Sequence, residues 1–251
     1  MSGEFAGLVA VVTGGASGIG RATATAFAAQ GARTAVIDVN PDGAAEGVLG
    51  INGDVRSRAS LDAAMDRIAT ELGGIDILVN NAGVSAIGTV EEQPDTEWAR
   101  VLDINVTGIA RASAAALPYL RASEHAAIVN LCSIAALNGL PQRALYSATK
   151  GAVMSLTYAM ATDHVGEGIR VNAVSPGTVA TPFVDRFLTQ FDNPARERAA
   201  LDARQATGRM VTPEEVAGAI LYLAHPRSTS TTATVLEVDG GMTHARVRTT
   251  R

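Results

Sequence analysis

The chain of 251 residues lacks the features that several classes of protein require. It has one cysteine, so no disulfide can form within it, and its four histidines show no metal-ligand spacing: Cys132, His125, His164, His225 and His244. No run approaches the roughly 20 apolar residues that cross a bilayer, and the first residues lack the basic and apolar regions of a secretion signal. We therefore expect a cytoplasmic protein without a metal and without a membrane partner.

Basic patches are also missing, since the net charge is -5 and no basic stretch is interleaved with aromatic residues. This excludes the electrostatic signature of a nucleic-acid-binding protein and favours a small-molecule substrate. With 47% apolar residues, a chain of this length can bury a substantial core. We expect a single domain spanning residues 1–251.

Short apolar runs alternate with longer Ala-rich segments of helical periodicity, the pattern of βα units. The runs predict seven strands, at 8–13, 34–38, 51–54, 75–80, 127–131, 170–174 and 234–238. The segments between them predict helices near 19–30, 60–72, 96–121, 143–165 and 213–223, the last with Thr212 as N-cap and Pro213 at the first position. The expected fold is α/β: a Rossmann-type doubly wound parallel sheet of about seven strands with helices on both faces.

Two segments depart from this regular alternation. Residues 40–50 (NPDGAAEGVLG) leave room for at most a turn or two of helix, so one edge of the sheet should be thinly covered. Residues 178–210 carry two prolines and many charges and match neither a strand nor one clean helix. We interpret them as a lid over the site, with an ordinary surface excursion as the alternative.

A glycine-rich turn, TGGASGIG at 13–20, joins the first strand to the first helix. Such a turn brings backbone amides and a helix N-terminus to a pyrophosphate. Asp38 ends the second strand, where an acidic residue binds the adenosine ribose. A carboxylate there repels the extra phosphate of NADP, so we expect NAD, with a turn or cap role for Asp38 as the alternative.

Tyr146 and Lys150 lie four residues apart in YSATK on a predicted helix, so they share a face. A free tyrosine titrates near pH 10, and an adjacent ammonium favours its phenolate, which can then act as a base near neutrality. Lys150 is also the one lysine among 20 basic residues. Ser133 follows the strand at 127–131 and should face the ligand edge of the sheet, although a cap role is the simpler interpretation when it is taken alone.

Together, TGGASGIG, NNAG (80–83), Asn105 in INVTG, Ser133, YSATK and PGTVATP (176–182) resemble the classical type of the short-chain dehydrogenase/reductase family, nearly from end to end. The resemblance implies a homotetrameric oxidoreductase that transfers a hydride between a dinucleotide and a secondary alcohol or ketone. It also implies a catalytic set in which Tyr146 is the acid/base, Lys150 binds the nicotinamide ribose and eases deprotonation of the tyrosine, Ser133 holds the reacting oxygen and Asn105 supports a water.

The resemblance further implies a cofactor site in three parts. The pyrophosphate would be held by Gly14, Ser17, Gly18, Ile19 and Gly20. The ribose and adenine would meet Asp38, Asp54 and Val55. The channel and nicotinamide end would be lined by Asn81, Ala82, Gly83, Pro176, Gly177, Val179 and Thr181.

Finer features resemble a subgroup that includes cytosolic-type 3-hydroxybutyrate and 2-keto-3-deoxy sugar-acid dehydrogenases. Arg143 and Arg204 could grip a substrate carboxylate, with ordinary surface arginines as the alternative. The expected reaction is NAD-dependent dehydrogenation of a small hydroxy acid, sugar or sugar acid. The alternatives are an NADPH-dependent 3-oxoacyl-thioester (acyl carrier protein) reductase and a non-catalytic dinucleotide sensor.

Overall fold

The computed structural model describes residues 3–189 and 191–247, in which seven strands alternate with eight α-helices. The strands are β1 (Val9–Thr13), β2 (Arg33–Asp38), β3 (Leu49–Asn52), β4 (Ile77–Asn80), β5 (Ala127–Leu131), β6 (Arg170–Pro176) and β7 (Val235–Val238). The helices are α1 (Gly18–Ala29), α2 (Arg58–Leu72), α3 (Asp95–Leu102), α4 (Gly108–Leu120), α5 (Ala144–His164), α6 (Pro182–Leu188), α7 (Pro194–Asp202) and α8 (Pro213–Ala224). Among these helices, none is long and apolar enough to cross a bilayer.

The strands form one parallel sheet in the order β3-β2-β1-β4-β5-β6-β7, which confirms the doubly wound α/β fold. The chain runs outward from β1 in one direction through β2 and β3, then returns to β4 on the other side of β1. Such a switch point opens a crevice at the carboxyl ends of the strands. Thr13 of β1 and Asn80 of β4 are paired there, and the predicted site residues follow them.

Apolar side chains of β1 point alternately to two cores, one on each face of the sheet. Val9 and Val11 pack with buried residues of α2, α4 and α5, whereas Ala10 and Val12 pack with those of α1 and α8. Because both faces are covered, the strands read as continuous apolar runs in the sequence. The covered faces hold the strand ends in place and so fix the geometry of the crevice.

The predicted strands and most predicted helices agree with the structure to within two residues, and two of the differences have an identifiable cause. The edge strand β3 begins two residues earlier than predicted, because its register is set by pairing with β2, from Ala35 opposite Leu49 to Asp38 opposite Asn52. The single helix predicted at 96–121 is divided by a π-helical turn, Asp103–Thr107, between α3 and α4. The short connection between β2 and β3 holds one 3-10 turn, Pro41–Gly43, as its length predicted.

The predicted start of α8 is confirmed as a capping box. The Thr212 hydroxyl accepts a hydrogen bond from the Glu215 N–H at 3.2 Å, and the Glu215 carboxylate accepts one from the Thr212 N–H at 2.8 Å. The Arg209 guanidinium and the Thr212 N–H lower the pKa of Glu215 from 4.5 to about 2. Both partners of the box therefore stabilise the helix at neutral pH.

Replacing Thr212 by alanine should lower the free energy of unfolding by about 1 kcal/mol, because the Glu215 amide loses its acceptor. Thr212→Ser keeps the hydroxyl and is the matched control in urea titrations.

Because the pKa of Glu215 is depressed in the folded state, the stabilisation from its carboxylate is complete above its ordinary pKa of 4.5 and is lost as the pH falls toward about 2. A Glu215→Gln variant should accordingly differ from the parent at neutral pH and converge with it in acid.

Candidate functional site

One cavity of about 730 Å³ lies along the carboxyl ends of the strands, at the switch point between β1 and β4. Its lining includes 17 of the residues predicted from the sequence: Gly14, Ser17, Gly18, Ile19, Asp38, Asp54, Val55, Asn81, Ala82, Gly83, Ser133, Tyr146, Lys150, Pro176, Gly177, Val179 and Thr181. Four predicted residues, Gly20, Asn105, Arg143 and Arg204, are not part of this lining. The structure thus brings together the glycine turn, the acidic strand end and the YSATK helix.

The glycine turn is locked to the loop that follows β4. The Thr13 hydroxyl accepts hydrogen bonds from the N–H groups of Asn81 and Ala82, both at 3.1 Å, and the Asn81 amide donates to the carbonyls of Thr13 and Gly14 at 3.0 and 2.9 Å. Gly14 has a φ of +63°, and a Cβ there would lie 2.8 Å from Ala82 Cα. Only glycine permits this approach.

The N-terminus of α1 faces the cavity. Ser17 adopts the extended conformation of an N-cap, but its hydroxyl makes no capping bond to the helix. The next residue, Gly18, has a φ of +51°, and a Cβ added to it would meet only Thr181, at 3.5 Å. The amides of the first turn and the Ser17 hydroxyl therefore provide hydrogen-bond donors for an anion.

Gly20 supports this turn from behind instead of lining the cavity. A Cβ at Gly20 would lie 2.3 Å from the Gly14 carbonyl oxygen and 2.5 Å from the Asn81 side-chain nitrogen. Gly20, the last glycine of TGGASGIG, is thus needed for close packing of the helix against the turn.

Two carboxylates stand at the other end of the turn. One oxygen of Asp38 accepts a hydrogen bond from the Ala16 N–H and the other from the Asn40 N–H, each at 3.1 Å. Asp38 therefore stabilises the turns on either side of it, which was the alternative role considered from the sequence. It also lines the cavity. Asp54 is held by Arg56, whose side chain is the main cause of a lowered pKa of the Asp54 carboxyl.

Tyr146 and Lys150 occupy one face of α5, as their spacing predicted. The Lys150 ammonium lies 5.7 Å from the centre of the Tyr146 ring and donates a hydrogen bond to the Leu131 carbonyl at 2.7 Å. Lys150 is only 5% exposed, so its ammonium is oriented by the end of β5 and not by bulk water. The ammonium is therefore fixed beside the Tyr146 ring.

Ser133 both caps a turn and faces the cavity, the two possibilities that its position in the sequence allowed. Its hydroxyl oxygen accepts a hydrogen bond from the Ala135 N–H at 3.2 Å and so caps the 3-10 turn Ile134–Ala136. The same side chain lines the cavity together with Tyr146. Because the bond from Ala135 uses only an acceptor position of the oxygen, the hydroxyl hydrogen is left for a ligand.

Asn105 lies behind the cavity wall, in the π-helical turn. Its side chain exchanges two hydrogen bonds with the backbone of Val84, at 2.8 and 2.9 Å, and donates a third to the Thr149 hydroxyl at 3.1 Å. The Asn105 amide therefore ties the loop after β4 to helix α5, which carries Tyr146 and Lys150. Its predicted support of a water stays a prediction.

Arg143 is half-buried directly before α5, and Tyr146 is near enough to act electrostatically on its guanidinium. Burial is the main cause that lowers the pKa of the Arg143 guanidinium, and the positive charge of Arg204 lowers it further. Within the described residues, neither arginine forms a salt bridge with an acidic side chain. Arg143 and Arg204 are therefore neighbouring cations, and of the two Arg143 is the one shown to interact with Tyr146.

Sequence reasoning missed three arginines of the lining: Arg56, Arg100 and Arg186. Arg56 could have been found from its position directly after Val55. Arg186 lies one turn after Pro182 on the same face of α6, whose start and end the sequence did not define. Arg56 and Arg100 are paired with Asp54 and Glu97, whereas Arg186 forms no salt bridge within residues 3–189 and 191–247.

The chemistry of the lining fits a nicotinamide dinucleotide. Carboxylates at one end can accept hydrogen bonds from ribose hydroxyls and an adenine amino group, and the amides of the glycine turn can donate to a pyrophosphate. The opposite end presents Ser133, Tyr146 and Lys150. The same cavity therefore connects an end suited to a nucleotide with an end that carries a hydroxyl, a phenol and an ammonium.

Comparison with known proteins agrees with this geometry. The sequence model of the family described as enoyl-(acyl carrier protein) reductase matches residues 14–243. The chain is 38% identical over 254 residues to 2-(S)-hydroxypropyl-CoM dehydrogenase 3 of Xanthobacter autotrophicus and 41% identical over 253 residues to cis-4-hydroxycyclohexanecarboxylate dehydrogenase of Sinomonas cyclohexanicum. Each alignment covers 97% of this chain and 99% of the relative.

A solved structure resembles the whole chain. Ligand-free aldohexose dehydrogenase of Thermoplasma acidophilum superposes with a TM-score of 0.93 at 32% identity, covering 100% of both chains. The similarity therefore extends over the entire fold and is not confined to the glycine turn.

Proposed function

The chain belongs to the short-chain dehydrogenase/reductase family, in its classical type, and from this premise we propose that it is an NAD-dependent dehydrogenase of a small hydroxy acid or sugar acid. The reaction type rests on one observation: Ser133, Tyr146 and Lys150 line the same cavity as the glycine turn and Asp38. A dinucleotide sensor would need only the nucleotide-binding end of this cavity.

A bound nicotinamide dinucleotide would supply the acceptor for the hydride that leaves the carbinol carbon. Tyr146 removes the alcohol proton as a phenolate, and its hydroxyl returns that proton in the reverse direction. Ser133 donates a hydrogen bond to the reacting oxygen and holds it beside the tyrosine. Lys150 holds its positive charge beside the Tyr146 ring, in the orientation set by its bond to the Leu131 carbonyl.

The NAD preference is proposed from the charges at the nucleotide-binding end. Asp38 places a carboxylate where the second phosphate of NADP would lie. Two arginines of the lining, Arg56 and Arg100, each form a salt bridge with an acidic residue. Arg56 pairs with Asp54, and Arg100 pairs with Glu97. Among the described lining residues, Arg56 and Arg100 therefore offer no unpaired positive charge to that phosphate.

Changing Asp38 to asparagine should lower kcat/KM with NAD by about tenfold, because charged hydrogen bonds to the ribose are lost. The loss with NADP should be smaller, because the repulsion of its phosphate disappears as well. Steady-state assays with both cofactors measure the ratio, and Asp42→Asn in the exposed turn after β2 is the control. A parent enzyme that prefers NADP would contradict the assignment of Asp38.

An acidic group on the substrate is proposed from the cations at the catalytic end. Arg143 lies near Tyr146, and Arg204 lies near Arg143. Neither has an acidic partner among the described residues, and Arg186 lines the cavity in the same condition. A guanidinium binds a carboxylate through two parallel hydrogen bonds. The substrate in the name of one relative, cis-4-hydroxycyclohexanecarboxylate dehydrogenase, also carries a carboxylate.

Arg143→Ala and Arg204→Ala should each raise KM for a hydroxy acid by about ten- to hundredfold, the effect of losing a charged hydrogen bond. KM for a neutral secondary alcohol should change little. Arg67→Ala, which removes an exposed cation on α2, is the control. Equal increases for acidic and neutral substrates would exclude the carboxylate clamp.

An acyl-thioester reductase is the second candidate, favoured by the description of the matching family. It would spend NADPH and would not need the arginines near Tyr146. Assays of a 3-oxoacyl thioester against a hydroxy acid, each with both cofactors, separate the two. The proposal also keeps two expectations for the whole enzyme, a cytoplasmic location and a homotetramer.

A further inference from the structure

Gln205 is buried and lies outside the cavity lining. Both the oxygen and the nitrogen of its side-chain amide form hydrogen bonds. The residue is 2% exposed. Its oxygen accepts a hydrogen bond from the Thr178 N–H at 3.2 Å, and its nitrogen donates to the Leu201 carbonyl at 2.8 Å. A buried amide would be unfavourable without such partners, so the side chain is positioned by these bonds and not by packing alone.

The bonds of Gln205 join two segments at the nicotinamide end of the cavity. Thr178 lies between Gly177 and Val179, which line the cavity directly after β6. Leu201 belongs to the last turn of α7 in the segment interpreted as a lid. The amide therefore connects the end of this segment to the wall of the site.

A third segment packs on the same glutamine. A Cβ added at Gly240 would lie 3.0 Å from Gln205 Cβ and 2.5 Å from the Thr207 hydroxyl oxygen. The backbone adds a bond from the Thr207 N–H to the Gly240 carbonyl at 3.0 Å. The turn after β7 thus closes around Gln205 and leaves little freedom to the chain on either side of it.

Arg204 directly precedes this anchor. It is exposed and lies near enough to Arg143 for the two positive charges to interact. Two guanidinium groups repel each other, so without a fixed backbone the exposed one would move away. The bonds of Gln205 to Thr178 and Leu201 supply that fixed backbone.

We propose that Gln205 is a positioning residue, whose amide holds Arg204 beside Arg143 and so sets the selectivity of the site for acidic substrates. This inference rests on the proposed binding of a substrate carboxylate by the two arginines. It adds a residue that touches neither substrate nor cofactor and that acts on specificity through Arg204.

The test is a double-mutant cycle with Gln205→Met, Arg204→Ala and the combined variant. Methionine keeps the length and volume of the side chain but removes its hydrogen bonds to Thr178, Leu201 and the Asp202 carbonyl. For each variant, KM and kcat are measured for a hydroxy acid and for a neutral secondary alcohol, and Kd for NADH is measured by fluorescence. Gln30→Met, at the exposed C-terminal end of α1, is the matched control.

Gln205→Met should raise KM for the hydroxy acid by about five- to tenfold and leave KM for the neutral alcohol and Kd for NADH nearly unchanged. In the Arg204→Ala background, the same change should add no more than about twofold, because the group that it positions is already gone. Multiplication of the two effects would overturn the proposal, as would a loss of NADH binding of similar size. If Gln205→Met does not fold, Gln205→Glu replaces it, since glutamate keeps the acceptor for Thr178 and removes the donor to Leu201.

The outcome for Arg204→Ala separates this proposal from the function on which it rests. If that variant leaves the ratio of acidic to neutral KM unchanged, the carboxylate clamp is wrong and the role of Gln205 falls with it. If Arg204→Ala changes the ratio and Gln205→Met does not, only the role of Gln205 is overturned.

Discussion

Replacing Tyr146 by phenylalanine should reduce kcat by about a thousandfold, because the substitution removes the one phenol that can exchange a proton with the substrate oxygen at this end of the cavity. The ring and its packing are kept, so Kd for NADH should stay within about twofold of the parent value. Stopped-flow assays with a hydroxy acid measure the first quantity, and NADH fluorescence measures the second.

Tyr158→Phe is the matched control for this variant. Tyr158 lies on the same helix α5, is 42% exposed and is not part of the cavity lining. Its substitution should leave kcat unchanged. If Tyr146→Phe retained more than about a tenth of the activity, proton transfer by this phenol would be excluded.

Replacing Lys150 by arginine should also reduce kcat by about a hundredfold or more, although the positive charge is conserved. Lys150 as a residue is 5% exposed, and its ammonium lies 5.7 Å from the centre of the Tyr146 ring and donates to the Leu131 carbonyl. A planar guanidinium is larger and cannot occupy that position with the same orientation. Its charge would be displaced from the phenol.

Lys150→Met separates geometry from charge in this second prediction. Both variants should lose activity if a compact ammonium is required, whereas only Lys150→Met should lose it if any nearby cation suffices. Because Lys150 is the one lysine of the chain, mass spectrometry after amine labelling also reports its accessibility directly. Activity of Lys150→Arg equal to that of the parent would contradict the geometric account.

The sheet could be predicted because its strands are buried on both faces and therefore read as continuous apolar runs. The edge strand was the exception. Residues Leu49–Asn52 are partly exposed and include a glycine, so their position depends on pairing with β2, which local sequence does not reveal. The break at Asn105 was likewise invisible, since the π-helical turn accompanies contacts with Val84 and Thr149 that are distant in sequence.

The catalytic and glycine residues could be placed because their motifs fix both spacing and secondary structure. The packing role of Gly20 and the hydrogen bonds of Asn105 could not be predicted from these motifs, because both residues lie behind the cavity wall. Arg186 and Gln205 required the exact course of residues 178–210, where charge and proline content indicated an irregular segment without defining its helices. Tertiary contacts, not propensity, determine what these two side chains do.

The central claim is that Tyr146 transfers the proton in an NAD-dependent oxidation of a hydroxy acid. The most direct test is the absorbance of reduced nicotinamide when the purified protein and its Tyr146→Phe variant are given NAD or NADP with a panel of hydroxy acids, sugar acids, sugars and neutral secondary alcohols. We expect the parent to reduce NAD faster than NADP, to favour the acidic alcohols, and to lose this activity in the variant. Reduction that persists in the variant, or a parent that binds NADH but oxidises none of the panel, would contradict the account.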